Sequence, residues 1–160
     1  MEIMDLVDNN DKVVGSAARH VIKESNLLHR GVAVLVFNSK GELFVHKRTM
    51  KKEILPGYFD LLCAGGVLSG ETYLEAAKRE LSEEIGIADI DLKQHFKVKL
   101  KSEFDNCYMM VFSCIYDGRM QLEKSEIENG MFIDPKKIDD TINTKDICPG
   151  SIEIWKKYKR

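Results

Sequence analysis

Between Gly65 and Ile87 the chain reads GGVLSGETYLEAAKRELSEEIGI, and within it Glu80, Glu83 and Glu84 follow directly on Arg79. Carboxylates this close raise one another's pKa values unless a cation compensates. Two arrangements accommodate them: a solvated helix face, or a bound positive charge among the acids. The natural counter-charge is a hard divalent ion held by oxygen ligands; Mg²⁺ usually keeps several waters and takes substrate phosphates as further ligands. The chemistry on offer is then transfer of a phosphoryl group to water, with the phosphate oxygens neutralised and a water deprotonated. Gly65 and Gly66, just ahead, let the backbone approach a ligand closely and present bare carbonyl oxygens. Arg79 stands one turn before Glu83, placed to orient that carboxylate.

The element that must position these acids is a helix over Thr72–Ile85. Thr72 and Glu75 form a T-x-x-E capping box, and Gly86 supplies the C′ residue. At ~100° per residue, Leu74, Ala77, Leu81 and Ile85 fall together as the buried stripe, and the three acids lie within ~100° of one another beside it. They therefore sit where the helix meets the rest of the fold.

Around this helix the chain alternates strand and helix signals. IMDLVD and KVVG flank the turn NND and predict an opening hairpin. ARHVIKES has helical spacing up to Asn26. GVAVLVFN, the turn Ser39-Lys40-Gly41 and ELFVHKR predict two strands around a tight turn, the first apolar enough to be buried on both faces. TMKKEILPGYFD is a basic loop broken at Pro56-Gly57. KQHFKVKLKSEF alternates from Phe96 to Leu100, and CYMMVFSCIYDG and GMFID complete the strands. PKKIDDTI and PGSIEIWKKYKR each open on a helix-N1 proline. The expected class is mixed α/β, a sheet with helices packed against it, in one domain over residues 1–160.

Composition narrows the function classes. A net charge of -2 gives no bulk attraction to nucleic acid polymers or anionic membrane. No apolar run approaches the ~18 residues that span a bilayer. The acidic N-terminus MEIMDLVDNNDK lacks the regions of a signal peptide. Cys63, Cys107, Cys114 and Cys148 form no C-x-x-C pair and read as free thiols of a cytoplasmic protein. His20, His29, His46 and His95 show no metal-site spacing.

The acidic segment matches G-x5-E-x7-R-E-U-x-E-E-x-G-U, with U aliphatic, at Gly65, Glu71, Arg79, Glu80, Leu81, Glu83, Glu84, Gly86 and Ile87. A chance match anywhere in the chain is roughly 10⁻⁸. This pattern resembles the Nudix box. The resemblance implies an α/β/α sandwich with a mixed sheet, the box over residues 65–87 forming a loop–helix–loop. It also implies hydrolysis of a diphosphate linked to another group, with Mg²⁺ or Mn²⁺ as cofactor. Glu80, Glu83, Glu84 and the Gly65 carbonyl then resemble metal ligands, and Glu71 and Arg79 supporting residues. The general base lies in the box, at Glu80 or Glu83, or on a later loop at Glu126, beside Glu128. Lys47, Arg48, Lys51 and Lys52 are candidates to hold substrate phosphates.

Beyond the box, LLHRGVAVLVFNSKGELFVHKR, LPGYFD and DNCYMMVFSC resemble the isopentenyl-diphosphate isomerase branch of the family. Isomerisation of an isoprenoid diphosphate is therefore a second reading. Its catalytic Cys and following His would fall on Ala64 and Gly66, its later Glu on Cys107, and its upstream His positions on Ile22 and His29. With one of these retained and the full glutamate set present, the expected activity is a hydrolase on isomerase-like architecture. A non-catalytic nucleotide-binding domain is the third reading. The expected partner is a small-molecule diphosphate, a nucleoside diphosphate or a derivative of one. Phe96, Phe104, Tyr108 and Phe112 are candidates to stack a base, and a homodimer is the candidate assembly.

Overall fold

The computed structural model describes residues 1–160. The chain opens with strands β1 (Ile3–Val7) and β2 (Val13–Ala18), an antiparallel hairpin whose turn is closed by Asp11 at φ 59°. Helix α1 (Arg19–Ser25) ends on Asn26, which adopts the left-handed conformation. Strand β3 (His29–Phe37) follows, buried without a break from Gly31 to Val36.

β3 organises the sheet. One edge pairs in parallel with β8 (Asn106–Ile115) along its whole length. The other edge is shared. Leu6 of β1 faces His29, β6 (Cys63–Gly66) faces Gly31–Val34, and Phe37 faces Leu43, the first residue of β4 (Leu43–Arg48). Strand β7 (Lys93–Lys101) extends the sheet beyond β8.

The two strands expected from GVAVLVFN and ELFVHKR stand around a tight turn closed by Asn38 and Glu42, and beyond it they pair only at Phe37 and Leu43. β6 occupies the edge of β3 that β4 would need. β4 instead pairs with β5 (Phe59–Asp60) and β9 (Ile127–Ile133). β9 also begins earlier than GMFID, at Ile127, so Glu126 stands at the mouth of a strand. A 3-10 turn at Pro135–Lys137 leads into α3 (Ile138–Thr144), and α4 (Pro149–Tyr158) carries its proline in the first turn.

Period-two alternation along β3 feeds two cores. Val32, Val34 and Val36 pack with Ala76, Ala77, Leu81 and Ile85 of α2 (Tyr73–Ile85). Ala33 and Leu35 pack on the opposite side with Ile154 and Trp155 of α4. The result is a mixed sheet between helices, an α/β/α sandwich. No helix is long and apolar enough to cross a membrane.

Candidate active site

Helix α2 begins as its sequence dictates. The Thr72 hydroxyl accepts from the Glu75 N–H at 3.1 Å, and the Glu75 carboxylate accepts from the Thr72 N–H at 3.0 Å. Gly86 closes the helix at φ 72°. The expected stripe is buried at Ala77, Leu81 and Ile85, while Leu74, in the first turn, is 42% exposed. The buried face is wider than that stripe and takes in Ala76 and the two acids at its edge, Glu80 at 7% and Glu84 at 9% exposure. Glu83 points to solvent.

Arg79 ties the site together. Its guanidinium donates to both oxygens of Glu71 (2.8 and 3.0 Å), to the Gly66 carbonyl (2.9 Å), to Glu80 (2.9 Å) and to Glu83 (3.3 Å). Glu71 also accepts from the Leu68 N–H at 2.8 Å. With Arg79 foremost, these donors hold the Glu71 carboxyl below its usual range, and Glu71 in turn holds the Arg79 proton more firmly.

Glu80 and Glu84 are less well compensated. Burial pushes Glu80 up to about 7; Arg79 opposes this, while Glu83 and Glu126 add to it. Burial pushes Glu84 well above the carboxylate range, reinforced by the charges of Glu80, Glu126 and Asp60. Its close neighbour is the buried Cys63 thiol, itself raised by burial and by Glu84. The guanidinium that reaches Glu80 is therefore already paired with Glu71, and no cation pairs with Glu84. Such a donor set fits a divalent cation, which supplies the missing charge. No three acidic, His or Cys side chains close around one point. The set is open toward a cleft of about 1260 Å³, lined by Glu80, Glu83, Glu84 and Glu126.

The sheet register bears on the backbone ligand. The Val67 N–H donates to the Arg30 carbonyl at 3.1 Å, and the register then runs Gly31↔Gly66, Val32↔Gly65, Ala33↔Ala64. Antiparallel ladders alternate paired and outward-facing residues. The Gly65 carbonyl is therefore turned into the ladder toward Val32. The carbonyls of Ala64 and Gly66 face the opposite edge, and Arg79 takes that of Gly66. Gly65 has a different role: a β-carbon there would overlap the Glu80 carboxyl group.

The basic candidates divide. Lys47 is turned out of the cleft; it pairs with Glu128 at 3.1 Å and lines a separate recess of about 240 Å³ with Phe59 and Met131. Alternation along β4 puts Lys47 on one face and its neighbours His46 and Arg48 on the other. Arg48 lines the cleft, yet its guanidinium is spent on the carbonyls of Ile54 (2.7 Å) and Leu55 (3.3 Å), bracing the basic loop. Lys51 and Lys52 both line the cleft, and Lys52 reaches Glu126 at 3.3 Å. Of the aromatic candidates, Phe104 lines the cleft and Phe112 is core.

The NUDIX domain profile matches residues 27–151. The chain belongs to the Nudix family. A Nudix hydrolase of Pseudomonas aeruginosa is 36% identical over 157 residues, 98% of this chain and 93% of that one. A crystal structure from Deinococcus radiodurans superposes with a TM-score of 0.85 at 25% identity, covering 99% of this chain and 100% of that one. The MutT protein of Methanosarcina mazei shares the fold, with a TM-score of 0.71 at 21% identity over 83% of this chain and 94% of that one. By family and box the chain is a Nudix pyrophosphohydrolase. Nudix hydrolases generally use divalent metals, in keeping with the uncompensated acids of α2.

Sequence reasoning passed over Asp60 and His46. Both line the cleft, opposite one another on β5 and β4. The available signal was weak: one Asp between Phe59 and Leu61-Leu62, and one His within an apolar strand.

Proposed function

We propose that this Nudix protein is a Mg²⁺-dependent hydrolase that cleaves the diphosphate linkage of a nucleoside diphosphate or a nucleoside-diphosphate derivative with an activated water. The observation that carries the reading is the burial of Glu80 and Glu84 at the cleft, Glu80 with a cation already paired with Glu71 and Glu84 with none. Glu80, Glu83 and Glu84 would hold the metal, with the outward Ala64 carbonyl as the backbone ligand in place of Gly65. A divalent ion held by these residues would supply the charge that neutralises diphosphate oxygens and the acidity that readies a water at neutral pH. Arg79 holds Glu80 and Glu83 in place. Glu126, oriented by Lys52 across the cleft from α2, is the base we assign to the water. Lys51 and Lys52 supply positive charge for the departing phosphate.

The isomerase reading loses its chemistry at this site. Ala64 and Gly66 have no ionisable side chain, and the Cys63 thiol is buried against α2, on the face opposite Ala64. The free, buried thiols of all four cysteines suit a reducing, cytoplasmic setting. The test is phosphate release from a panel of diphosphates with Mg²⁺, by wild type and Glu84→Gln. The variant is expected to lose at least about 10²-fold in kcat/KM, since one ligand charge is removed. Equal rates would refute the metal assignment.

A further inference from the structure

The cleft has a second polar station that the diphosphate chemistry does not use. At its floor stands Asp60, the last residue of β5, 9% exposed. One of its oxygens, Oδ1, is locked: it accepts from the Leu62 N–H at 3.0 Å and from the Ser151 hydroxyl. Ser151 is buried in the first turn of α4 and itself accepts from the Leu61 N–H at 3.3 Å. The carboxylate is thus fixed in orientation. Oδ2 has no N–H or O–H donor, and no cation pairs with Asp60. Its remaining neighbour is the buried Cys148 thiol, a weak donor, raised by burial and by the Asp60 charge.

Opposite Asp60 in the β4–β5 ladder is His46, 5% exposed, with its Nδ1 buried and without a partner. Burial favours the neutral imidazole, which carries one donor and one acceptor. A pre-oriented acceptor and an unpartnered imidazole therefore meet at one wall. His46 Nδ1 is closed off from the cleft, so Nε2, also without a partner, and Asp60 Oδ2 are the atoms left facing it, and a polar ligand there would satisfy both. The station lies in the same cleft as Glu80 and Glu84, close enough for the Asp60 charge to act on Glu84.

We infer that Asp60 and His46 form a subsite for the vicinal hydroxyls of a sugar carried by the substrate, the Asp60 carboxylate accepting from one hydroxyl and the His46 imidazole bonding its neighbour. Adjacent hydroxyls both donate and accept, so they satisfy a carboxylate and a neutral imidazole together. A prenyl chain satisfies neither. The inference deepens the proposed function: the diphosphate sits at the box and the sugar of the nucleoside at Asp60. It rests on that reading for the position of the diphosphate.

The test uses the intact chain with Mg²⁺ and the four ribonucleoside diphosphates against their 2′-deoxy and 2′,3′-dideoxy counterparts. Wild type is expected to prefer at least one ribonucleotide over its dideoxy form by about 10²-fold in kcat/KM, the scale on which a hydrogen-bonding site rejects an analogue that leaves it unpaired. Asp60→Asn is expected to erase most of that preference by raising KM for the ribonucleotide, with kcat moving far less. Ser151→Ala, which frees Asp60 Oδ1 but keeps the charge, is expected to give a smaller KM effect. Titration calorimetry of the matching ribo- and dideoxynucleoside monophosphates, without metal, reads the subsite independently of turnover. Hydrolysis with no ribo preference in wild type would overturn the subsite and leave the hydrolase standing. A ribo preference in binding without any hydrolysis would leave the subsite standing and overturn the hydrolase. The comparison on wild type holds even if Asp60→Asn fails to fold. A ribo preference undiminished in a folded Asp60→Asn would overturn the assignment to Asp60.

Discussion

The Glu80 carboxyl group occupies the space where a side chain on Gly65 would begin. This places β6 and α2 in direct backbone-to-carboxylate contact and accounts for a glycine at a position whose carbonyl is turned into the ladder. Gly65→Ala is expected to push Glu80 out of place, because the far end of a flexible side chain yields before the backbone. Activity should fall by about 10²-fold, the scale for a misplaced catalytic group, while thermal unfolding shifts only modestly. An alanine variant as active as wild type would show that Glu80 has no fixed place in the site.

The raised glutamates make the stability of the metal-free protein fall with pH. Glu80 titrates near 7 when folded, against 4.5 when unfolded, and Glu84 is shifted in the same direction. Between those values the folded chain holds protons that the unfolded chain has released, so stability declines as pH rises through that window and stays reduced above it. In EDTA, Tm should be higher at about pH 5.5 than at about pH 8. Glu84→Gln should raise Tm at the higher pH and flatten the profile. Added Mg²⁺ should stabilise wild type at that pH and fail to stabilise the variant. Glu71 works the other way, its depressed pKa contributing stability that is lost in acid below the unfolded value of 4.5.

Arg79 holds Glu71, Glu80, Glu83 and the Gly66 carbonyl at once, and its side chain is 21% exposed. Arg79→Ala leaves partly buried carboxylates without a partner and is expected to cost about 2–4 kcal/mol in urea unfolding. Arg79→Lys retains the charge but loses the fork that grips both Glu71 oxygens, and should recover less than half of that loss. An alanine variant within about 0.5 kcal/mol of wild type would remove Arg79 from the framework.

The two faces of the basic segment should separate in kinetics. Lys47→Ala removes an ion pair with Glu128 outside the cleft and should leave kcat/KM within about twofold of wild type. Lys52→Ala releases Glu126 and removes a cation from the cleft. It should lower kcat/KM by about tenfold, and Lys52→Arg, which keeps the charge, should recover most of that loss, a rescue that loss of packing alone would not give. A large loss in Lys47→Ala with none in Lys52→Ala would reverse the assignment.

The acidic helix was legible because its signals are local. The Thr72–Glu75 box, the Gly86 stop and the spacing of Glu80, Glu83 and Glu84 all lie within one element, and all three acids reach the cleft. The stripe of Ala77, Leu81 and Ile85 was legible too, but not its width. Leu74 has the right spacing for the core yet stays exposed, while Glu80 and Glu84 at the stripe's edge are buried, because β6 and β3 arrive from elsewhere in the chain. The turn between β3 and β4 was legible, but not the pairing beyond it: a competing strand, β6, takes the edge of β3 that a longer hairpin would have filled. Lys47 and Arg48 are adjacent in sequence, and only strand pairing decides which of them meets the cleft.

Taken alone, the sequence determined that three acids stand on one capped helix behind an arginine and a glycine pair, because capping and helical spacing depend on near neighbours. It determined the family for the same reason, since the pattern is short and contiguous. Only the tertiary structure decided how deeply Glu80 and Glu84 are buried, which backbone carbonyl is free to face them, and that Asp60, His46 and Ser151 share their cleft. Those outcomes follow from strand register and from the packing of α4 against the sheet, contacts between residues far apart in the chain that no local pattern encodes.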